Sequence, residues 1–417
     1  MNKHIYMIGI GGIGMSALAQ LYLHQGYDVS GSDREESPTT LLLREKGVTV
    51  HLSQTGEQIQ DNVSFAVYSE AVGEDNPERM KVKELGIREY SYFEALGEVT
   101  RTKRTIAVAG THGKTTTTAM LTKLLIDAGV SPTAIIGSLV KDFGSNYVKG
   151  EGEWFVVEAC EYKRDFLTLH PEILVITNLE LDHTDYYKDL ADVQSAFGTL
   201  ITQTKGAIVT NASHKNIAPL LQGREVIDYT QEKEARLSLP GVFNTENAKA
   251  AVAAAKLVKE MGNEELQRSL ETFQGTWRRF DRKGVTSQGA LVYDDYAHHP
   301  TAVKATLEEM KKLTNGKLYV AFHPHLYSRT KDLLSEFSSA FSSADQVYIA
   351  PIYAAREIDD GSISSEILAE KIREQGTPAE AKTFEEIREV FETLPQEGDV
   401  IVTMGAGDIY KVADQIV

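Results

Sequence analysis

The chain has 417 residues, 42% hydrophobic and 25% charged, a balance that excludes wholesale disorder or a rod and a length that exceeds what one hydrophobic core usually supports. Its net charge of -17 argues against a nucleic-acid surface and requires any anionic substrate to meet local Lys, Arg or helix N-termini. One cysteine, Cys160, excludes an intramolecular disulfide and suits a cytoplasmic location; no run of about 18 apolar residues and no cleavage-site pattern occurs, so neither membrane span nor signal peptide is expected.

The first element is an apolar strand, His4 to Ile10, that runs into Gly9, Gly11, Gly12 and Gly14 and then a helical pattern through Met15, Leu18, Ala19 and Leu23. A second strand over Tyr27 to Ser32 ends at Asp33, about 20 positions on, where a ribose hydroxyl would sit in a nucleotide-binding βαβ unit. The loop has no basic residue, so it suits a pyrophosphate held by backbone amides, in a dinucleotide or a nucleotide-sugar, or it is a turn that only packs helix on strand. A strand ending at Ser69 and a helix over Asn76 to Leu85, with Pro77 in its first turn, complete a domain over residues 1–97.

The second domain, residues 98–279, opens with a strand over Thr105 to Ala109 and then Gly110-Thr111-His112-Gly113-Lys114-Thr115-Thr116. Backbone N–H groups of such a loop and the following helix N-terminus hold polyphosphate, the lysine reaches the terminal phosphates, and the threonine hydroxyl ligates Mg2+. The loop is a shortened form of the general pattern, since Val108 stands where that pattern has its first glycine. Strands over Trp154 to Glu158, Ile173 to Thr177 and Ala207 to Thr210 follow, then a polar, irregular stretch from Ser213 to Leu239 and a helix from near Thr245. Strand ends of a parallel sheet converge on bound phosphates, which makes Glu158 a candidate Mg2+ ligand and His183 a softer ligand, or a structural histidine. Arg278 and Arg279 close the domain and either steady a phosphoryl group or form an interdomain ion pair.

The third domain, residues 280–417, alternates again: strands over Ala290 to Tyr293, Leu318 to Phe322, Gln346 to Ile349 and Asp399 to Thr403, with helices over Thr301 to Leu313 and around Lys331 to Phe341. The fold class is therefore α/β with three domains: Rossmann-like, central phosphate-loop ATPase with a parallel sheet, and Rossmann-like again. Asp294 to Pro300 and His323 to Thr330 lie at strand ends, the first suited to proton transfer and Arg329 in the second to a substrate carboxylate.

In their order, Gly9 to Ser16, Gly110 to Thr117, Glu158-Ala159-Cys160-Glu161-Tyr162, Asn178 with Asp182-His183, Arg278-Arg279-Phe280, Asp294 to Pro300 and Met404 to Ile409 resemble the Mur ligases of peptidoglycan precursor synthesis. The resemblance spans essentially the whole chain, and Gly198 near the place of a carbamylated lysine in later-acting relatives favours the branch that adds the first amino acid. It implies an ATP-dependent, amide-forming enzyme that phosphorylates the lactyl carboxylate of UDP-N-acetylmuramate and lets L-alanine attack the acyl phosphate. The implied cofactors are ATP and Mg2+, and the protein would act as a monomer or weak homodimer.

The resemblance also assigns residues. Lys114, Arg278 and Arg279 would stabilise the phosphoryl group, Thr115 and Glu158 would ligate Mg2+, and His183 would serve a second Mg2+ or the acyl phosphate. Asn244 and Asn247 would lie by the adenine nucleotide with the loop Gly110 to Thr116. Gly9, Gly11, Gly12, Gly14, Met15, Ser16, Asp33 and Ser69 would bind the UDP-sugar, and Tyr296, His298 and Arg329 the amino acid. Leu326 replaces an arginine of many relatives, and Phe243 a histidine. Three other readings remain at this point: a recycling ligase that joins a preformed peptide to the same UDP-sugar, a nicotinamide-dependent oxidoreductase built on the first loop, and a non-catalytic nucleotide-binding or regulatory protein, against which Lys114, Thr115, Glu158 and His183 speak.

Overall fold

The computed structural model describes residues 3–355 and 357–417; Met1 and Asn2, at the head of the expected first domain, and Arg356 lie outside the described residues. The chain forms two compact units. One runs to Leu179 and adds Gln194–Arg236 and Glu246–Gln274; the other comprises Glu180–Val193, Leu237–Thr245 and Gly275–Val417.

The first unit holds two sheets. Strands β1 (His4–Ile8), β2 (Asp28–Ser32), β3 (Thr49–His51), β4 (Val63–Tyr68) and β5 (Glu89–Ser91) are all parallel, in the order β3-β2-β1-β4-β5. The order reverses between β1 and β4, the place where an open parallel sheet leaves a crevice at its carboxyl edge. Gly9 follows β1 and Ser69 follows β4 at that edge.

The second sheet comprises β6 (Arg104–Ala109), β7 (Thr133–Val140), β8 (Ser145–Val148), β9 (Trp154–Glu158), β10 (Ile173–Ile176), β11 (Ile208–Thr210) and β12 (Val226–Asp228). Its order is β12-β11-β10-β6-β9-β7-β8, parallel except that β8 runs antiparallel to β7. The stretch from Ser213 to Leu239 is therefore not wholly irregular: β12 lies within it as an edge strand of three partly exposed residues, paired with β11.

A buried polar network joins the two sheets of this unit. The helix Ile13–His24 packs on β7 and β8. Asn146 of β8 donates to the carbonyl of Ile13 and, at 2.9 Å, to Ser16 Oγ, while Gln20 donates to Asn146 Oδ1 at 3.1 Å and accepts from Ser145 Oγ at 3.1 Å. All four side chains are buried, so each group needs the partner it has.

The second unit carries β13 (Asp281–Val285), β14 (Leu291–Asp295), β15 (Leu318–Phe322), β16 (Gln346–Ile349), β17 (Ala379–Ala381) and β18 (Val400–Met404), in the order β13-β14-β18-β15-β16-β17 with only β13 antiparallel. Alternate residues of the central strands feed opposite cores: Val320, Phe322 and Val402 pack with Phe337 and Leu368, whereas Ala321, Ile401 and Tyr319 pack with Ile387 and Phe391. Where one helix was expected around Lys331 to Phe341 there are two, Tyr327–Asp332 and Leu334–Ala340, parted at Leu333. Among the described residues no helix is long and apolar enough to cross a membrane.

Candidate active site

In the first unit the phosphate loop joins β6 to the helix Lys114–Asp127. Gly110 has φ 135° and Gly113 φ 82°, and a Cβ at Gly113 would stand 2.2 Å from Asn247 Oδ1, so the turn admits only glycine there. The end of β10 clamps the loop: Asn178 Oδ1 accepts from His112 N at 2.8 Å, and Thr177 Oγ1 donates to the His112 carbonyl at 2.6 Å. Asn247 also accepts from Thr117 Oγ1 at 3.2 Å, which places it under the first helical turn with buried Thr115 and Thr116.

Lys114 Nζ turns back onto its own loop, donating to the carbonyls of Gly110 and Thr111 and to Glu161 Oε2 at 2.8 Å. Burial alone would lower its pKa, but Glu161 and other nearby acidic groups outweigh that, so the ammonium is held above its ordinary value and stays charged. Beside it, Thr115 Oγ1 donates to Glu158 Oε1 at 3.1 Å, and Gly137 N donates to Glu158 Oε2 at 2.9 Å. A Cβ at Gly137 would lie 2.3 Å from that carboxylate, so β7 reaches Glu158 only through a bare backbone. Glu161 and Gly137 escaped the site assignment made from sequence. The signal for Glu161 was its place three residues after Glu158 on the same strand end; Gly137 had none, because its strand was not anticipated.

The first glycine loop is built differently. Gly9 N and Ile10 N each donate to the Ser32 carbonyl at 2.9 Å, and Gly11 N donates to Asp33 Oδ2 at 2.8 Å. Asp33 thus braces the loop. A Cβ at Gly14 would meet the Tyr92 ring at 2.6 Å, and one at Gly9 would meet Ser69 Cβ at 2.9 Å, while Gly12 caps the helix. Met15 and Ser16 are buried, with Ser16 engaged by Asn146.

In the second unit, Arg278 is 4% exposed and its guanidinium donates to Asp294 Oδ2 at 2.7 Å and to the carbonyls of Gly407 at 2.9 Å and Gly405 at 2.6 Å. Arg279 lies with its guanidinium 4.9 Å from the Tyr296 ring centre. Asp295, on the last residue of β14, accepts from Phe280 N at 2.6 Å and Ala297 N at 2.8 Å. Burial pushes its carboxyl up to about 6, against the opposing pull of Arg279 and these two amides. Tyr296 N donates to the Arg278 carbonyl at 2.7 Å, so the arginine pair and the end of β14 form one piece.

His298 rests on Tyr296 and, through burial and then the Arg329 charge, titrates well below the ordinary histidine range. Arg329 pairs with Asp182 at 3.0 Å, and the neighbouring His183 adopts φ 54°. Leu326 is 1% exposed, so its side chain faces the interior rather than the strand edge. Asn244 donates to the Pro240 carbonyl at 2.7 Å, and Phe243 packs near Phe280. Asn244 and Asn247, three residues apart, belong to different units.

A phosphate loop with a lysine, a threonine and a carboxylate at the carboxyl edge of a parallel sheet, joined to two further α/β sheets, defines a nucleotide-dependent α/β enzyme. Three family models match: "Mur ligase family, catalytic domain" over residues 4–104, "Mur ligase middle domain" over 108–238, and "Mur ligase, glutamate ligase domain" over 278–407. A UDP-N-acetylmuramate–L-alanine ligase of Clostridium botulinum strain Hall is 38% identical, covering 100% of this chain and 98% of the relative. One from Acetivibrio thermocellus is 39% identical over 99% of this chain and 95% of its own. Among solved structures, the UDP-N-acetylmuramate-alanine ligase MurC of Thermotoga maritima superposes with TM-score 0.84 at 27% identity, covering 99% of this chain and 98% of the other. The chain belongs to the Mur ligase family.

Proposed function

We propose that the protein joins L-alanine to the lactyl carboxylate of UDP-N-acetylmuramate with cleavage of ATP to ADP and phosphate, a step in making peptidoglycan precursors. The observation that carries the reading is full-length likeness to ligases of that name in a chain whose phosphate loop sets Lys114 and Thr115 beside Glu158 and Glu161. An oxidoreductase would leave this set without a task, and membership of the family removes it.

A carboxylate is a poor acylating agent because oxide is a poor leaving group, so the chemistry needs a carboxylate oxygen to attack the γ-phosphorus while the bond to ADP breaks. The amine nitrogen then attacks the acyl carbon, loses a proton, and the C–O bond to phosphate breaks as the amide forms. Lys114 Nζ is already within reach of its own loop carbonyls; exchanging those and Glu161 for the γ-phosphate places a fixed positive charge where negative charge migrates. Gly110, Thr111, His112, Gly113 and Thr116 offer the backbone cradle, and Asn247 and Asn244 the nucleotide contacts.

Thr115 and Glu158 present oxygen donors only, a hydroxyl and a carboxylate 3.1 Å apart, which fits a hard divalent cation such as Mg2+. That ion, when bound, supplies charge neutralisation for the triphosphate, and His183 would serve a second ion or the acyl phosphate. Arg278 and Arg279 would stabilise the phosphoryl group, with the Arg278 guanidinium fixed by Asp294 and the two glycine carbonyls. The loop at Gly9 to Gly14, with Ser69, takes the UDP-sugar. Asp33 acts by bracing that loop, Met15 and Ser16 at the start of its helix would belong to the same UDP-sugar site, and Tyr296, His298 and Arg329 would receive the amino acid.

Phosphate release that requires ATP, Mg2+, UDP-N-acetylmuramate and L-alanine together is the expected result with purified protein. Equal turnover with a tripeptide in place of L-alanine would transfer the assignment to a peptide-recycling ligase, and release without any amino acid would refute ligation altogether.

A further inference from the structure

Arg329 sits in the helix Tyr327–Asp332 just after β15 and is 4% exposed, so its charge requires a partner. Asp182, 6% exposed, supplies it from the Glu180–Val193 segment of the same unit. A single oxygen, Asp182 Oδ1, accepts from Arg329 Nη2 at 3.0 Å and Nε at 3.3 Å, which grips the guanidinium along its side. The third nitrogen, Nη1, donates to His325 Nδ1 at 3.0 Å, which makes that ring nitrogen an acceptor. Guanidinium carries five N–H donors, so one on each terminal nitrogen is left without a partner among the described residues. Nη1 and Nη2 are the two nitrogens that meet a carboxylate end-on, and each keeps one such donor.

The same Asp182 oxygen also accepts the backbone N–H of His183 at 2.7 Å. One carboxylate oxygen therefore fixes both the direction of the Arg329 fork and the backbone of the histidine next to it. Leu326 offers no second cation, being turned inward, and His298 stays neutral. The carboxylate of the incoming amino acid then has one arginine to meet, and that arginine is aimed by a residue that never touches the amino acid.

We infer that Asp182 is a positioning residue for amino-acid selection: it holds Arg329 so that only the end-on fork is presented, and it spaces that carboxylate anchor from His183. The inference rests on the ligase reading given above and on the assignment of Arg329 to the amino-acid carboxylate. Its energetic logic is preorganisation, since a fork that need not be ordered on binding costs less to use.

The test is steady-state kinetics of Asp182→Asn and Asp182→Glu beside the natural chain, with L-alanine and with L-alaninamide, which lacks the carboxylate. ATP and UDP-N-acetylmuramate binding, measured without amino acid, certifies that each variant is folded; if Asp182→Asn is not, Asp182→Glu carries the comparison. Asp182→Asn is expected to raise the KM for L-alanine at least about tenfold, with kcat changed less than about threefold and the KM for ATP and UDP-N-acetylmuramate within about twofold. Preference for L-alanine over L-alaninamide should narrow by about fivefold or more, and Asp182→Glu, which keeps the charge, should fall between the other two. An unchanged KM for L-alanine, an equal rise for all three substrates, or a fall that marks Asp182 as a competitor for the fork would each overturn the inference. If the natural chain shows no L-alanine-dependent phosphate release, the ligase reading itself fails and takes this inference with it.

Discussion

The two glycine loops of the first unit share a plan and differ in charge. Each follows a central parallel strand, β1 or β6, and each opens a helix. In the first, the charged side chain beside the loop is an acid, Asp33, whose oxygen is occupied by Gly11 N at 2.8 Å; what remains for a ligand is neutral backbone. In the second, Lys114 stands at the first helical position with Glu161 as counter-ion at 2.8 Å and Thr115 against Glu158. A loop that lacks a cation suits a diphosphate that is held and leaves unchanged, whereas a loop that carries one suits a phosphoryl group whose charge moves.

The largest effect is expected where that difference is erased. Lys114→Ala should lower turnover by at least about a thousandfold, some 4 kcal/mol of lost charge stabilisation, while UDP-N-acetylmuramate binding, measured by calorimetry, stays within about twofold. A matching loss of UDP-sugar affinity would mean that the loops are not distinct in function.

The reciprocal change is smaller. Gly14→Ala would place a methyl group 2.6 Å from the Tyr92 ring, so the helix or the ring must shift. The KM for UDP-N-acetylmuramate is expected to rise roughly tenfold, near 1.4 kcal/mol, with nucleotide binding at the other loop unaltered. An ATP-specific defect would reverse the assignment of the two loops.

The mildest test leaves both loops intact. Asp295 has its carboxyl pushed up to about 6, so it takes up a proton as pH falls through that value and loses its charge against Arg279. Ligation should decline on the acid side of about pH 6, to roughly a quarter of its plateau at half a unit below, while both loops keep their ligands, and Asp295→Asn should flatten that limb. The stability sign runs the other way: a carboxyl raised from 3.8 favours its protonated form in the fold, so this group's contribution falls as pH climbs from about 4 to about 6 and is level above. A pH-independent rate between 5 and 7 would remove Asp295 from the argument.

Much of this contrast could be read from sequence, for reasons visible in particular residues. Continuous apolar runs such as Trp154–Glu158, Leu318–Phe322 and Gln346–Ile349 are buried strands and were located to the residue. The hairpin of β7 and β8 was not anticipated, because Ser145 and Asn146 interrupt its apolar pattern with polar groups whose partners are distant in sequence. β12 escaped because an edge strand of three half-exposed residues has almost no periodicity to detect. At the site, composition announces that a guanidinium is present but not what it is bonded to: Arg278 and Arg279 read alike, yet Arg278 is enclosed by Asp294 and two carbonyls. Asp182 was legible only as the neighbour of His183, since its grip on Arg329 spans 147 positions.

The buried amides of Gln20 and Asn146 bear on how such a chain can be taken apart. A cut between residues 97 and 104 divides the protein where sequence suggests a seam, but it leaves Ser16 and Gln20 facing the place that Ser145 and Asn146 filled, and uncaps the Ile13 carbonyl. The liberated N-terminal fragment would carry a wet, unmatched scar on the helix that shapes its own nucleotide-sugar loop. A chimaera that exchanges the first loop with its helix must therefore import the hairpin of β7 and β8 along with it.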